Sequence, residues 1–119
     1  MNWQLDKNKP ICPQICERVS LLIARGDYKP HDKVPSVRDL AVTLGVNPNT
    51  VQRAYESLEQ QGMIYTMRGS GRFVSEDVSV SKESISSLRH EKTQEYFIQM
   101  KALGMSTEDT KTYVKEWEQ

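Results

Sequence analysis

The sequence predicts a mainly α fold with one small β-hairpin. Three observations carry that expectation. Between positions 11 and 62, apolar residues recur at helical spacing in three short successive stretches. Arg68-Gly69-Ser70-Gly71 then forms a glycine-rich turn between two short strand-like runs. After these come a polar stretch and a second, longer helical pattern.

Each element has a local justification. Trp3 to Leu5 is a short extended start, and a turn follows over residues 6–10. The first helix is expected over residues 11–25, with Ile15, Val19, Leu22 and Ile23 recurring at helical spacing. Pro13 sits early, where its missing N–H matters least, and Gly26 follows the last turn. The second helix is expected over residues 37–44, with Ser36 as N-cap and Asp39 completing a variant capping box. Val37, Leu40, Ala41 and Leu44 form its apolar stripe, and Gly45 suits the left-handed residue after it. Asn47 caps a third helix whose first residue is Pro48 and which Gly62 closes. Its inward stripe is Val51, Ala54, Tyr55 and Leu58. Two amphipathic helices joined by so tight a turn must cross steeply. Residues 63–67 and 72–74 read as the strands of the hairpin.

Residues 75–84 read as a polar linker, followed by a long helix over residues 83–103. Gly104 ends that helix, and Ser106 with Asp109 opens a last short one carrying Tyr113, Val114 and Trp117. The expected organisation is therefore a winged helix-turn-helix over residues 1–76 and a linker with a helical tail over residues 77–119.

Composition narrows the function classes. Lys+Arg and Asp+Glu are both 16, yet residues 1–75 hold 10 basic against 7 acidic side chains and residues 76–119 hold 6 against 9. The basic share lies with the half expected to meet phosphates. No apolar run approaches the roughly 18 to 20 residues that span a bilayer, and the N-terminus lacks an apolar signal region. A cytoplasmic protein with no membrane partner is expected. Cys12 and Cys16, four apart on the first helix, read as small core residues; the alternative, a redox pair or half a metal site, lacks a CxxC and histidines beyond His31 and His90. No Ser/His/Asp set, metal cluster or phosphate loop is present, so neither an enzyme nor a cofactor is expected.

The outer face of the third helix carries the chemistry. Asn and Gln pair with adenine edges and Arg with guanine edges, each through two hydrogen bonds. Asn49, Gln52 and Arg53 lie on that face, with Asn47, Pro48 and Thr50 at the helix N-terminus, where free N–H groups favour phosphate. Arg38 on the second helix could reach the backbone or a base. In the hairpin, Gly69, Ser70 and Gly71 permit close approach and Arg68 and Arg72 flank them, a composition suited to a narrow minor groove. The competing reading is a winged helix that serves only as a protein-interaction module.

These residues resemble the GntR family of bacterial transcription regulators, and most closely its short YtrA-like branch. The resemblance rests on Val34-Pro35-Ser36-Val37-Arg38-Asp39-Leu40-Ala41, Leu44-Gly45-Val46-Asn47-Pro48-Asn49-Thr50-Val51, Ala54-Tyr55, Leu58-Glu59, Gly62 and Gly69-Ser70-Gly71-Arg72-Phe73-Val74. It is dense over residues 10–76 and thinner over the tail. It implies DNA contacts from Arg38, from Asn47, Pro48, Asn49 and Thr50, from Gln52 and Arg53, and from Arg68 and Gly69. Many members have Ser-Arg where this chain has Asn47-Pro48, which implies a different operator. His31 stands where a glycine is common, and Cys12 where a tyrosine is common.

The roughly 44 residues after the hairpin are too few to enclose a metabolite domain. The resemblance implies instead two helices that pair chains, with Ile85, Leu88, Tyr96, Phe97, Met100 and Leu103 as the apolar face. The expected function is a homodimeric repressor on double-stranded DNA, two recognition helices reading an inverted-repeat operator. The resemblance further suggests a transporter or envelope-stress operon. No residue set for a small-molecule effector is legible.

Overall fold

The computed structural model describes residues 3–118. In chain order its elements are α1 (Ile11–Arg25), α2 (Val37–Leu44), α3 (Pro48–Gln60), β1 (Ile64–Met67), β2 (Gly71–Val74), α4 (Ser79–Ala102) and α5 (Thr107–Lys115). They fall into two compact units, Met1–Ile85 and Ser86–Gln119, so α4 supplies the end of one and the start of the other.

The first unit is built from caps and one core. Ser36 Oγ accepts the Asp39 N–H at 3.0 Å and starts α2. Asn47 Oδ1 accepts the Asn49 N–H at 2.8 Å and starts α3 ahead of Pro48. Gly45 lies between them at φ 67°, a left-handed conformation that costs glycine little. The core takes Ile15, Val19 and Ile23 from α1, Leu40 and Ala41 from α2, and Val51, Ala54, Tyr55 and Leu58 from α3. Ile64 and Val74 seal it from the hairpin. Burying each large aliphatic side chain contributes about 1.5–3 kcal/mol. That burial fixes the rotation of α3, and so turns its polar face away from the core. Cys12 and Cys16 are half-buried against the same core. Burial, reinforced by the neighbouring Cys12, pushes the Cys16 thiol up to about 11, so it stays protonated.

In the first unit the backbone differs from the sequence expectation at the start of α4 and beside the hairpin. Residues 79–84, read as linker, are the first turns of α4. Asp77 Oδ1 accepts the Ser79 N–H at 2.9 Å, Val78 and Val80 pack on the core, and Ser81 and Ile85 are buried at 1% and 5% exposure. The hairpin also gains a third stretch of backbone. His31 N–H donates to the Val74 carbonyl at 2.8 Å, Val74 N–H to Asp32 at 2.8 Å, and Val34 N–H to Arg72 at 3.0 Å. His31 is held at φ 69°, unusual for a residue with a Cβ, at the position where the resemblance finds glycine common.

The second unit has little interior. Ser106 Oγ caps α5 by accepting the Asp109 N–H at 3.1 Å. Thr110 is the one buried residue among the described residues of this unit, and its hydroxyl donates to the Ser106 carbonyl at 2.7 Å. Tyr96, Ile98, Leu103, Tyr113, Val114 and Trp117 are all exposed. Trp117, expected on the last helix, lies just beyond its end at Lys115. No helix is long and apolar enough to cross a membrane among the described residues.

Candidate nucleic-acid interface

The inward stripe of α3 leaves its other face to solvent. Asn47, Pro48, Asn49 and Arg53 are exposed, and Thr50 and Gln52 are half-buried beside them. Arg38, on α2, is exposed as well. The turn between the two helices is closed by Val46 N–H donating to Ala41 at 3.0 Å. It is braced from the N-terminal arm: Lys7 Nζ donates to the carbonyls of Leu44 and Gly45 at 3.2 and 3.4 Å. A cation there satisfies carbonyls that the end of α2 leaves open and complements its dipole. No local pattern around Lys7 points to this role.

In the hairpin, β1 and β2 pair antiparallel from Ile64↔Val74 to Met67↔Gly71. The turn is closed by Ser70 N–H donating to Met67 at 2.9 Å. Arg68, Gly69 and Ser70 are exposed at its tip. Among the described residues Arg38, Arg53 and Arg68 carry no ion pair, so each guanidinium can meet a phosphate or base without first leaving a carboxylate. Gly71 is half-buried at φ 121°, and a Cβ on it would lie 2.8 Å from Lys33 Cε. The backbone of Lys33 forms an antiparallel bridge with Phe73 on β2, which leaves an exposed cation beside the hairpin that sequence reasoning missed. The signal needed was the backbone pairing of residues 32–34, which is not local.

Arg72 behaves differently from the other hairpin arginine. Its Nε donates to Glu59 Oε1 at 2.7 Å, its side chain is 22% exposed, and its guanidinium lies 5.4 Å from the centre of the Tyr55 ring. Its far nitrogen donates to Gln52 Oε1 at 3.5 Å. Thr66 Oγ1 donates to the same Glu59 oxygen at 2.7 Å. Burial opposes ionisation of Glu59, but the hydrogen bonds from Arg72 and Thr66 and the Arg72 charge together outweigh it and hold the carboxyl below its ordinary range. Tyr55 donates its hydroxyl to the Pro35 carbonyl at 2.7 Å, and burial raises its pKa strongly, so it stays a neutral donor. Gln52 Nε2 donates to Glu56 at 3.0 Å, so both ends of the Gln52 amide are held by protein groups.

The residues expected to pair chains are also placed. Tyr96, Phe97, Met100 and Leu103 line one open groove with Tyr113, Val114 and Trp117, of about 1020 Å³, bordered by Lys92, Lys111 and Lys115. Leu88 is half-buried and lies outside the groove. Ile85 belongs to the first unit and is 5% exposed there, so it has little surface left for a second chain.

The profile of the bacterial regulatory proteins of the gntR family matches residues 13–74. The HTH-type transcriptional regulator YhcF of Bacillus subtilis is 38% identical over 109 residues, covering 92% of this chain and 90% of that protein. The HTH-type transcriptional repressor YtrA of the same organism is 37% identical over 108 residues, covering 90% and 83%. Among solved structures, a GntR family transcriptional regulator from Listeria monocytogenes superposes with a TM-score of 0.84 at 38% identity, over 96% of this chain and all of that one. AraR(DBD), solved in complex with operator ORX1, superposes with a TM-score of 0.54 at 30% identity, over 63% of this chain and 92% of that one. These relatives are regulators of transcription, not enzymes.

Proposed function

The chain belongs to the gntR family of bacterial regulatory proteins, a transcription regulator with a DNA-binding domain, and on that premise we propose that it is a cytoplasmic homodimeric repressor of an inverted-repeat operator. The observation that carries this reading is the pairing of two exposed surfaces in one unit: the outer face of α3 and the hairpin tip beside it. Asn49, Gln52 and Arg53 would read base edges, with Asn47, Pro48 and Thr50 entering the groove first and Arg38 on the backbone or a base. Arg68, Gly69, Ser70 and Gly71 would follow the neighbouring minor groove.

A second copy of the chain would cover the groove lined by Tyr96, Phe97, Met100 and Leu103. An exposed apolar surface of that size is stabilised by a partner. Twofold pairing would then place two copies of α3 on two half-sites. Repression would follow from occupying a promoter, and the relative YtrA is a transcriptional repressor.

A gel-shift titration against the promoter region upstream of its own gene, with scrambled DNA of equal length at the same salt, tests the reading. Preference for the promoter by about a thousandfold is expected. Equal affinity for both would end it. Genome-wide footprinting then names the regulated genes, and a site beside transporter or envelope-stress genes is the expected outcome.

A further inference from the structure

A single carboxylate oxygen joins the two surfaces of the interface. Glu59 Oε1, on α3, accepts Thr66 Oγ1 from β1 and Arg72 Nε from β2, both at 2.7 Å. Each strand of the hairpin is therefore tied to the same atom. A hairpin with four-residue strands has little stability of its own. The tie is charge-assisted and partly withdrawn from solvent, with Arg72 and Glu59 at 22% and 31% exposure, so salt screens it less than a surface pair. From the same guanidinium a hydrogen bond reaches Gln52, whose other end is held by Glu56.

We infer that Glu59 is a positioning residue for DNA binding, which with Arg72 and Thr66 latches the wing to the recognition helix and fixes the Gln52 amide, so that Arg72 itself does not contact DNA. This rests on the reading of the chain as an operator-binding protein. The argument is one of charge. A free arginine on the hairpin would be drawn to phosphate. Arg72 is already matched by a carboxylate at 2.7 Å, and moving it to phosphate would either strand Glu59 or bring a negative charge to the DNA.

The sign of one substitution separates the two roles. Glu59→Gln removes a negative charge near the interface and loosens Arg72. If Arg72 were a phosphate contact, binding would tighten or stay the same. For a latch, binding to the promoter fragment weakens by about threefold to tenfold in fluorescence anisotropy. A second arm uses the full chain without DNA: amide exchange across residues 64–74 should quicken in Glu59→Gln while exchange in α1 is unchanged. Thr66→Val keeps the ion pair and should move both readouts the same way by less, and it serves if Glu59→Gln does not fold. In the Glu59→Gln background, Arg68→Ala should cost less than it does in the natural chain, because a loosened wing no longer holds Arg68 in place. Tighter or unchanged binding together with unchanged wing exchange would overturn the latch. A natural chain that binds scrambled DNA equally would instead overturn the operator reading, and the exchange arm would still decide the latch.

Discussion

In the first unit Ile15, Leu40, Tyr55 and Leu58 are 1% exposed or less, whereas in the second Ile98, Leu103 and Trp117 remain at least 60% exposed. The same residue types are used in opposite ways. The first unit encloses a core of apolar side chains, leaving Val42 and Met67 outside it. The second sets Leu103 and Trp117 along an open groove, and Thr110 is its one buried residue among those described. A winged helix must hold its reading face rigid before DNA arrives, and only a complete core can do that. On the proposed reading, the second surface stays open until a second chain covers it.

That contrast can be broken or sharpened by substitution, and the largest effect is expected in the closed unit. Leu58→Ala should cost about 2–5 kcal/mol of stability in a denaturant melt, the transfer loss plus a cavity. A cost near zero would mean that the core is not the source of rigidity. In the open unit, Met100→Glu with Leu103→Glu should weaken self-association by about a hundredfold or more in sedimentation equilibrium. A dimer that survives both charges would move the interface elsewhere.

The remaining effects are confined to the reading face. Arg53→Ala and Arg38→Ala should each weaken promoter binding by about 1–3 kcal/mol if they contact bases, with oligomeric state unaltered. Arg68→Ala should reduce the slope of log affinity against log salt by about one unit, and an unchanged slope would take the wing tip out of the phosphate contacts. The smallest effect is titration of the latch. Glu59 is held below its ordinary value of 4.5, so its contribution is complete above that pH and is lost as pH falls through the lowered folded-state value. The protection factors of the wing amides, with the intrinsic pH dependence of exchange divided out, should therefore fall only below pH 4.5, and Glu59→Gln should remove the step.

How much of this was legible in the sequence depends on the reach of each interaction. The starts of α2, α3 and α5 could be read because Ser36, Asn47 and Ser106 act on N–H groups two or three residues away. The start of α4 could not, because residues 75–84 look polar and only the core contacts of Val78 and Val80 make a helix of them. Arg72 reads as a free cation in a glycine-rich hairpin, since the carboxylate that holds it lies 13 positions earlier on another element. Lys7 and Lys33 escape for the same reason. The exposed face of α3 was legible, being the complement of a stripe that repeats every three to four residues.

The crowding at Gly71 bears on how such a protein changes its target. At φ 121° the backbone there adopts a conformation that L residues rarely reach, and a Cβ would also have to displace the end of the Lys33 side chain. Evolution, or a combinatorial library built for new operators, can vary the neighbouring Arg68 and Ser70 freely while position 71 stays closed. A library that randomised the whole tip evenly would lose most of its members to misfolded hairpins, and the productive diversity would be found two residues wide.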